Sequence, residues 1–278
     1  MSKIKPIKDN FLNYPTPLVS VVCNTYNHGL FLKETIESFL KQETNFGVEI
    51  LIHDDSSTDN TAEIIKEYAS RFGFIRPYFQ ESNIYSRGLK PRDFQFPRVR
   101  GRYVAVCEGD DYWTDKRKLL KQFRIMEKFP FLSLSFHLVR SKGNLQYTYP
   151  VPSQSILRFS QMVMTHYIPT CSLFFRFDSL DRNALKNFNR IKMGDIVIQL
   201  LLLNKGKSFC HFEYMGVYRT HSGGITQNRQ HLKKGRVNYI KLYWKMLFNV
   251  RLIYSPVLIL ALVKNCLGYL LDAGRKKI

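Results

Sequence analysis

Acidic residues are what this chain has least of for its size. Twenty-two Asp and Glu stand against 42 Lys and Arg, a formal charge of +20 over 278 residues. Such a bias calls for an anionic partner, whether nucleic acid, an anionic membrane surface or a phosphorylated substrate, and charge alone does not choose among them. Cysteine is sparse and unpatterned. Cys23, Cys107, Cys171, Cys210 and Cys266 are odd in number and show no CxxC or Cys/His spacing, which argues against a zinc module or a disulfide framework and fits a reducing cytosol. Long apolar runs are missing too. The longest uncharged apolar stretch has twelve residues, Leu252 to Val263, short of the roughly 20 that a transmembrane helix needs. The first residues, "MSKIKPIKDNFLNYPTP", are basic without an apolar core, so no signal peptide is expected. There is no internal repeat and no low-complexity tract.

What is present is ordinary globular material. Hydrophobic residues make up 45% and charged residues 23%, enough to bury one sizeable core, with or without an appended module. After Pro15 and Pro17, "LVSVVCNTYN" is short and β-branched and predicts a buried strand. "LFLKETIESFLKQ" then places Phe31, Leu32, Ile36, Phe39 and Leu40 on one helical face. "VEILIHDDSS" predicts a second strand, and "STDNTAEIIKEYASRF" a helix capped by Thr58 or Asp59. "IRPYFQ" reads as a third strand, which Pro77 assigns to a sheet edge. "RYVAVC" is a fourth, and "DKRKLLKQFRIMEKF" an amphipathic helix. Later segments are less regular: strands at "LSLSFHLV" and "CSLFFRF", a buried helix from near Gly194, and a strand pair in "FCHFEYMGVYRTH".

Strand and helix alternating about every thirty residues predict βαβ units on a mostly parallel sheet. In such sheets ligands bind at the carboxyl ends of the strands. The polar sets Asn24–Asn27, Asp54–Ser57 and Glu108–Asp111 all follow strands, so they are expected to converge on one edge. The last of these, in "VCEGDDYW", concentrates negative charge in a basic chain. Glu108 and Asp110 share a face of an extended segment, and Gly109 permits close backbone approach. Carboxylates held together repel unless a cation lies between them. A hard divalent ion, Mg²⁺ or Mn²⁺, binding carboxylates and substrate phosphates is the expected resident. A solvated acidic turn is the plain alternative, and its position after a buried strand argues against it.

"VSVVCNTYNHGLFLKETIESFLKQ", "ILIHDDSSTDNT" and "GRYVAVCEGDDYWTDKRKL", in that order and spacing, resemble the family 2 glycosyltransferases, nucleotide-sugar enzymes with a GT-A fold, over about residues 17–225. The resemblance implies an α/β, Rossmann-like sheet flanked by helices. It implies nucleoside contacts from Asn24, Thr25 and Tyr26 and from Asp54 and Asp55, with the ribose and metal motif at Glu108-Gly109-Asp110 and Asp111 beside it. Glu108 stands where many members have Asp. In "RIKMGDIVIQLLLLNKG" the resemblance points to Asp195 as the base of an inverting transfer, with Gly194 in place of a more frequent acid. Asp is also an ordinary helix N-cap, so the residue alone leaves both readings open. "VYRTHSGGIT" resembles the family's late motif, with Arg219 as a phosphate clamp and His221 as metal ligand or donor to the leaving group. In the basic stretch 82–102, Arg87 and Lys90 are the candidates for the diphosphate. "YIPTCSLFF" corresponds to the sugar or acceptor pocket, with core packing as the equal alternative. His28, His53, His137, His166, His211 and His231 receive no role.

Three regions are expected: a tail at 1–16, the GT-A domain at 17–226, and a helical extension at 227–278. Residues 228–278 carry eleven Lys and Arg against Asp272 alone, a net of +10. Basic residues flank Trp244, Phe248, Tyr254 and Tyr269 there, which fits a segment lying on an anionic membrane, and Pro256 is expected to divide it into two helices. Packing against the domain or a second subunit is the alternative. The expected enzyme therefore moves a sugar from a nucleotide donor, a UDP-sugar first, to a saccharide or lipid-linked acceptor at the cytosolic membrane face. This places the charge without nucleic acid. Nucleotidyl transfer is disfavoured because "CNTYNHG" carries one glycine where a phosphate loop would be glycine-rich. A non-catalytic basic module binding membrane or nucleic acid is the third possibility.

Overall fold

The computed structural model describes residues 4–10, 14–143, 149–191, 193–224 and 235–274. Its frame is a nine-stranded sheet among these residues. The valine-rich run forms β1 (Pro17–Thr25) and is followed by α1 (Gly29–Leu40). Then come β2 (Gly47–Asp54), α2 (Thr61–Arg71), β3 (Ile75–Phe79) and β4 (Tyr103–Val106). The amphipathic helix is α3 (Lys118–Lys128), and it leads into β5 (Leu132–Gly143). The second half adds α4 (Phe159–Met164), β6 (Phe174–Arg176), α5 (Gly194–Lys205) and β7 (Lys207–Thr220). The chain then continues through α6 (Gly235–Met246) and α7 (Ser255–Gly274).

Strand order is β3-β2-β1-β4-β6-β5-β7, closed by the short strand Tyr112–Trp113, with Ile156–Leu157 also on β7. β3, β2, β1 and β4 are parallel. β6 runs antiparallel between β4 and β5, while β5 and β7 are parallel to each other. The long strands therefore point one way, and β3 is at the edge as Pro77 required, because proline cannot donate to a second neighbour.

The pleat splits the core in two. Val19, Val21 and Cys23 face one cluster with Ile36, Phe39 and Leu119, and Val22 faces the other with Phe136, Val197 and Leu201. That period of two is why β1 reads as unbroken apolar sequence: both faces are covered.

Two expectations change. "FCHFEYMGVYRTH" is part of one strand, β7, with register shifts between Lys207 and Ser208, between His211 and Tyr214, and between Tyr214 and Gly216. Phe212, Glu213 and Tyr214 are all exposed, and such a bulge breaks alternation much as a turn does. Pro256 does not divide a helix but sits in the first turn of α7, where its missing N–H costs nothing. The N-terminal tail is in part docked, with Lys5–Pro6 paired to Glu43–Thr44 and Ile7 buried. The expected boundary at 226/227, the motif residues Ile225 and Thr226, and His231 lie outside the described residues.

Candidate active site

The carboxyl ends of β1, β2, β4 and β7 meet at one edge of the sheet. The first two loops are cross-tied. The first helix, α1, has no side-chain cap of its own, so its orphan amides are satisfied from the next loop. Asn27 N donates to Ser57 Oγ, His28 N to Thr61 Oγ1 and Gly29 N to Asp59 Oδ2, each at 2.9 Å. Asn27 and Ser56 take positive φ, 53° and 63°, a conformation that costs free energy for residues with a side chain. Asp54 accepts from Thr25 Oγ1 and from Ser57. Asp55 reaches the next loop, accepting from the amides of Ile84 at 2.7 Å and Tyr85 at 3.0 Å. Neither acid caps α2. Tyr26 is exposed, while Thr25 points inward.

The turn after β4 is held from α1. Thr35 Oγ1 donates to the carbonyls of Gly109 (2.9 Å) and Asp111 (2.7 Å). Ser38 Oγ accepts from Trp113 N, and Gln42 Nε2 donates to Asp115 O. Thr35, Ser38 and Gln42 recur at helical spacing as a buried polar stripe. Gly109 packs so closely that a Cβ there would lie 2.5 Å from Thr25 Cγ2 and 2.9 Å from His28 Nδ1, which accounts for glycine at this position.

The three acids of the turn have different surroundings. Glu108 accepts from Asn24 Nδ2 at 3.4 Å, and burial, with Asp110 next to it, pushes its carboxyl up to about 8. Burial also acts to raise Asp110, but the His221 hydrogen bond and the two nearby imidazoles overcome it and hold this carboxyl below the ordinary range. Asp111 is buried and accepts from Arg219 N at 2.8 Å; burial and the Asp110 charge push it well up.

Asp110 Oδ2 lies 3.1 Å from His221 Nε2 and 3.7 Å from His28 Nε2. Ligand atoms of these three residues all fall within 4.8 Å of one another. One carboxylate and two imidazoles fit a divalent transition ion. Asp111 is not in this cluster, since its carboxylate faces Arg219. Arg219 itself is buried, donating to Asp110 O and Glu34 and lying over the Tyr112 ring, 4.3 Å from its centroid.

Asp195 occupies the first turn of α5, half-buried, with Thr170 Oγ1 at 3.4 Å. Burial raises its carboxyl above the ordinary range. Both Asp195 and Glu108 act on Tyr85, so the helix entry, the 83–90 loop and the acidic turn share one site. Lys90 is buried with its ammonium over the Tyr85 ring, and Arg87 is exposed. Arg92 is the basic residue beside Asp195: buried, its Nη1 lies 2.6 Å from where a Gly194 Cβ would be. A cavity of about 230 Å³ lined by Gly101, Arg102 and Phe177 lies at the opposite, amino end of β4 and brings none of these acids together.

Comparison with known proteins identifies the family and the fold. The profile described as Glycosyl transferase family 2 matches residues 20–182. The chain belongs to that family. It is 30% identical over 218 residues, 76% of this chain and 81% of the other, to the Escherichia coli protein named UDP-Glc:alpha-D-GlcNAc-diphosphoundecaprenol beta-1,3-glucosyltransferase WfaP. Mycobacterial relatives of unassigned function are 33% identical over 74% of this chain, which spans about 60% of their length. Among solved structures, TarS 1-349 of Staphylococcus aureus with UDP-GlcNAc superposes with a TM-score of 0.67 at 18% identity, covering 89% of this chain and 71% of that one. Mannosyltransferase PcManGT of Pyrobaculum calidifontis, with GDP-Man and Mn²⁺, gives 0.58 at 12%, covering 99% and 79%. These structures establish the GT-A fold.

For this family 2 chain, sequence reasoning left out His28 and Arg92. His28 had a signal, since it ends the loop after β1 at the edge where the polar sets converge. Arg92 was counted among five basic residues with nothing to single it out. The stripe Thr35, Ser38, Gln42 was left out as well, although polar positions on the buried side of an amphipathic helix are a signal.

Proposed function

We propose that the chain is an inverting, metal-dependent glycosyltransferase that moves a sugar from a nucleotide-sugar donor, a UDP-sugar, to a saccharide or lipid-linked saccharide acceptor. One observation carries this reading: carboxylates at a single sheet edge are set for two different tasks. Asp110 is stabilised as an anion by two imidazoles. Asp195 is held where burial raises its proton affinity, as suits a general base. In this reading Asn24, Thr25, Tyr26, Asp54 and Asp55 receive the nucleoside, and Glu108 the ribose. Arg219, Lys90, Arg87 and Arg92 supply positive charge to the diphosphate. Asp195 takes the proton of the acceptor hydroxyl as that oxygen attacks the anomeric carbon and the bond to the diphosphate breaks. Asp110 and His221 would hold the divalent cation, Mn²⁺ or Mg²⁺, whose charge stabilises a leaving diphosphate. The UDP-Glc and diphosphoundecaprenol in the name of WfaP, and the UDP-GlcNAc complex of TarS, support a UDP-sugar and a lipid-linked acceptor.

The same reading puts the chain at the inner face of a membrane, in surface polysaccharide synthesis. Leu252–Tyr269 is long and apolar enough to cross a membrane by length and composition. Yet Leu258 and Ala261 are buried in the core and Tyr254 stacks on Phe159 at 4.2 Å, packing a spanning helix would forfeit. Leu260, Val263, Leu267 and Leu271 form an exposed apolar stripe on α7, near exposed Leu252 and Ile253. With the local excess of Lys and Arg, this fits a segment lying on an anionic surface.

The deciding experiment is calorimetric titration of UDP with and without Mn²⁺, on the wild-type chain and on Asp110→Ala. Metal-dependent binding that the variant loses is expected. Metal-independent binding, unchanged by the variant, would sink the reading for UDP. For the membrane, flotation with phosphatidylglycerol vesicles should recover the wild type and not a Leu260→Ser/Leu267→Ser variant.

A further inference from the structure

We propose that His28 is a third protein ligand to the cation at Asp110. The resulting site, two imidazoles and one carboxylate, takes a transition metal before any nucleotide arrives and prefers it to magnesium. The inference deepens the glycosyltransferase reading and rests on it for the purpose of the metal, but not for the existence of the site.

The geometry is specific to His28. Its backbone is fixed: the amide donates to Thr61 Oγ1 at 2.9 Å, and the carbonyl accepts from Phe31 and Leu32 at the start of α1. Gly109 closes off the Nδ1 side of the ring, since a Cβ built there would lie 2.9 Å from Nδ1. Nδ1 is buried without a hydrogen-bond partner among the described residues. The polar group the ring faces is Asp110 Oδ2, at 3.7 Å. That separation is too long for a hydrogen bond, and it suits two atoms that share an ion. Donors bound to one ion at about 2.0–2.2 Å lie roughly 3–4 Å apart, so three donors within 4.8 Å need only small adjustments. On the far side, Phe31 packs against His221 with ring centroids 4.6 Å apart, holding the second imidazole in place.

Ligand chemistry then sets the preference. Magnesium is bound through one or two carboxylates completed by substrate phosphates and water. Imidazole nitrogen favours first-row transition ions, and binding strengthens from Mn²⁺ towards Co²⁺ and Zn²⁺. Glu108 and Asp111, which would make the site oxygen-rich, are engaged with Asn24 and Arg219.

Co²⁺ is the probe, titrated into the nucleotide-free full chain and followed by its visible absorption. Wild type is expected to bind Co²⁺ without UDP and to be little displaced by millimolar Mg²⁺. His28→Gln should weaken binding roughly tenfold or more, at the scale seen when a group supporting a metal site is lost. Unchanged Co²⁺ affinity in His28→Gln, or no Co²⁺ binding until UDP is added, overturns the proposal. If His28→Gln does not fold, pulsed EPR of Mn²⁺-loaded wild type counts the coupled imidazoles: two are expected, and one overturns it. A UDP titration at saturating Mn²⁺ separates the two readings. UDP binding with no His28 effect removes only this inference, whereas a two-imidazole metal site that never binds UDP removes the glycosyltransferase reading and leaves the site.

Discussion

The turn after β4 and the entry of α5 contribute carboxylates to the same edge, yet treat them oppositely. Asp110 is approached by His221 and His28, which hold it ionised. Asp195 has Thr170 as a neutral neighbour, and the Arg92 guanidinium nearby only partly offsets the burial that raises it. One site keeps a charge ready for a cation; the other makes a charge costly and a proton welcome. Environments that push like groups apart mark a division of labour, and this pair lets the roles be separated by experiment.

The largest effect is expected from Asp195→Asn. Removing the proposed general base should lower kcat by roughly 10²–10⁴-fold, while UDP and metal affinity stay near wild type. Because burial raises the folded carboxyl above its unfolded value, its stabilising contribution is present at low pH and lost as pH rises through the raised pKa. At neutral pH the raised carboxyl is therefore a cost, and the Asn variant should melt at a higher temperature than wild type. In wild type the acid limb of the kcat profile should fall above the ordinary Asp range. A variant that keeps kcat within about tenfold, or a limb at the ordinary position, would break the contrast with Asp110.

Thr35→Val tests what holds the acidic turn. The substitution keeps the shape and removes the donor shared by the carbonyls of Gly109 and Asp111. Stranding buried acceptors should cost about 1–3 kcal/mol, read by thermal or urea unfolding. UDP affinity should fall at the same time, because Asp110 sits between those two carbonyls. Loss of stability with unchanged UDP binding would mean that the turn keeps its geometry without α1.

The first half of the fold was legible because local signals agreed there. Valine runs, amphipathic helices and strand-end polar sets repeat in order, and parallel topology brings Asn24, Asp54, Glu108 and Asp110 to one edge. β7 was harder, since a bulge at Phe212–Tyr214 breaks alternation just as a turn would. The site divides along the same line. Residues within a motif could be named through the resemblance to the family 2 glycosyltransferases, whereas partners depend on which side chains fill the remaining volume. His28 meets Asp110 across 82 positions of chain, and Arg92 meets Gly194 across 102. Parallel topology puts His28 at the right edge, but nothing local to Arg92 singles it out. Asp110 and Asp111 are adjacent and equally acidic in sequence, yet the turn directs one to the imidazoles and the other to the Arg219 amide.

The smallest effect, and the finest test of the α5 side, is Gly194→Ala. A methyl group there would meet Arg92 Nη1 at 2.6 Å, but the obstacle is the far end of a flexible side chain, which has to move by roughly an ångström to restore van der Waals contact. Alanine also favours helix over glycine by up to about 1 kcal/mol, an advantage reduced at the first position of α5. The two effects nearly cancel, so stability should change by less than about 0.5 kcal/mol. Kinetics should respond more. Arg92 lies beside Asp195 and is proposed to serve the diphosphate, so displacing it should lower kcat/KM several-fold with UDP binding weakened in step. If the variant folds as predicted and turns over like wild type, the guanidinium fills volume rather than serving the donor, and the positive charge opposite Asp110 must come from Lys90 or Arg219 instead.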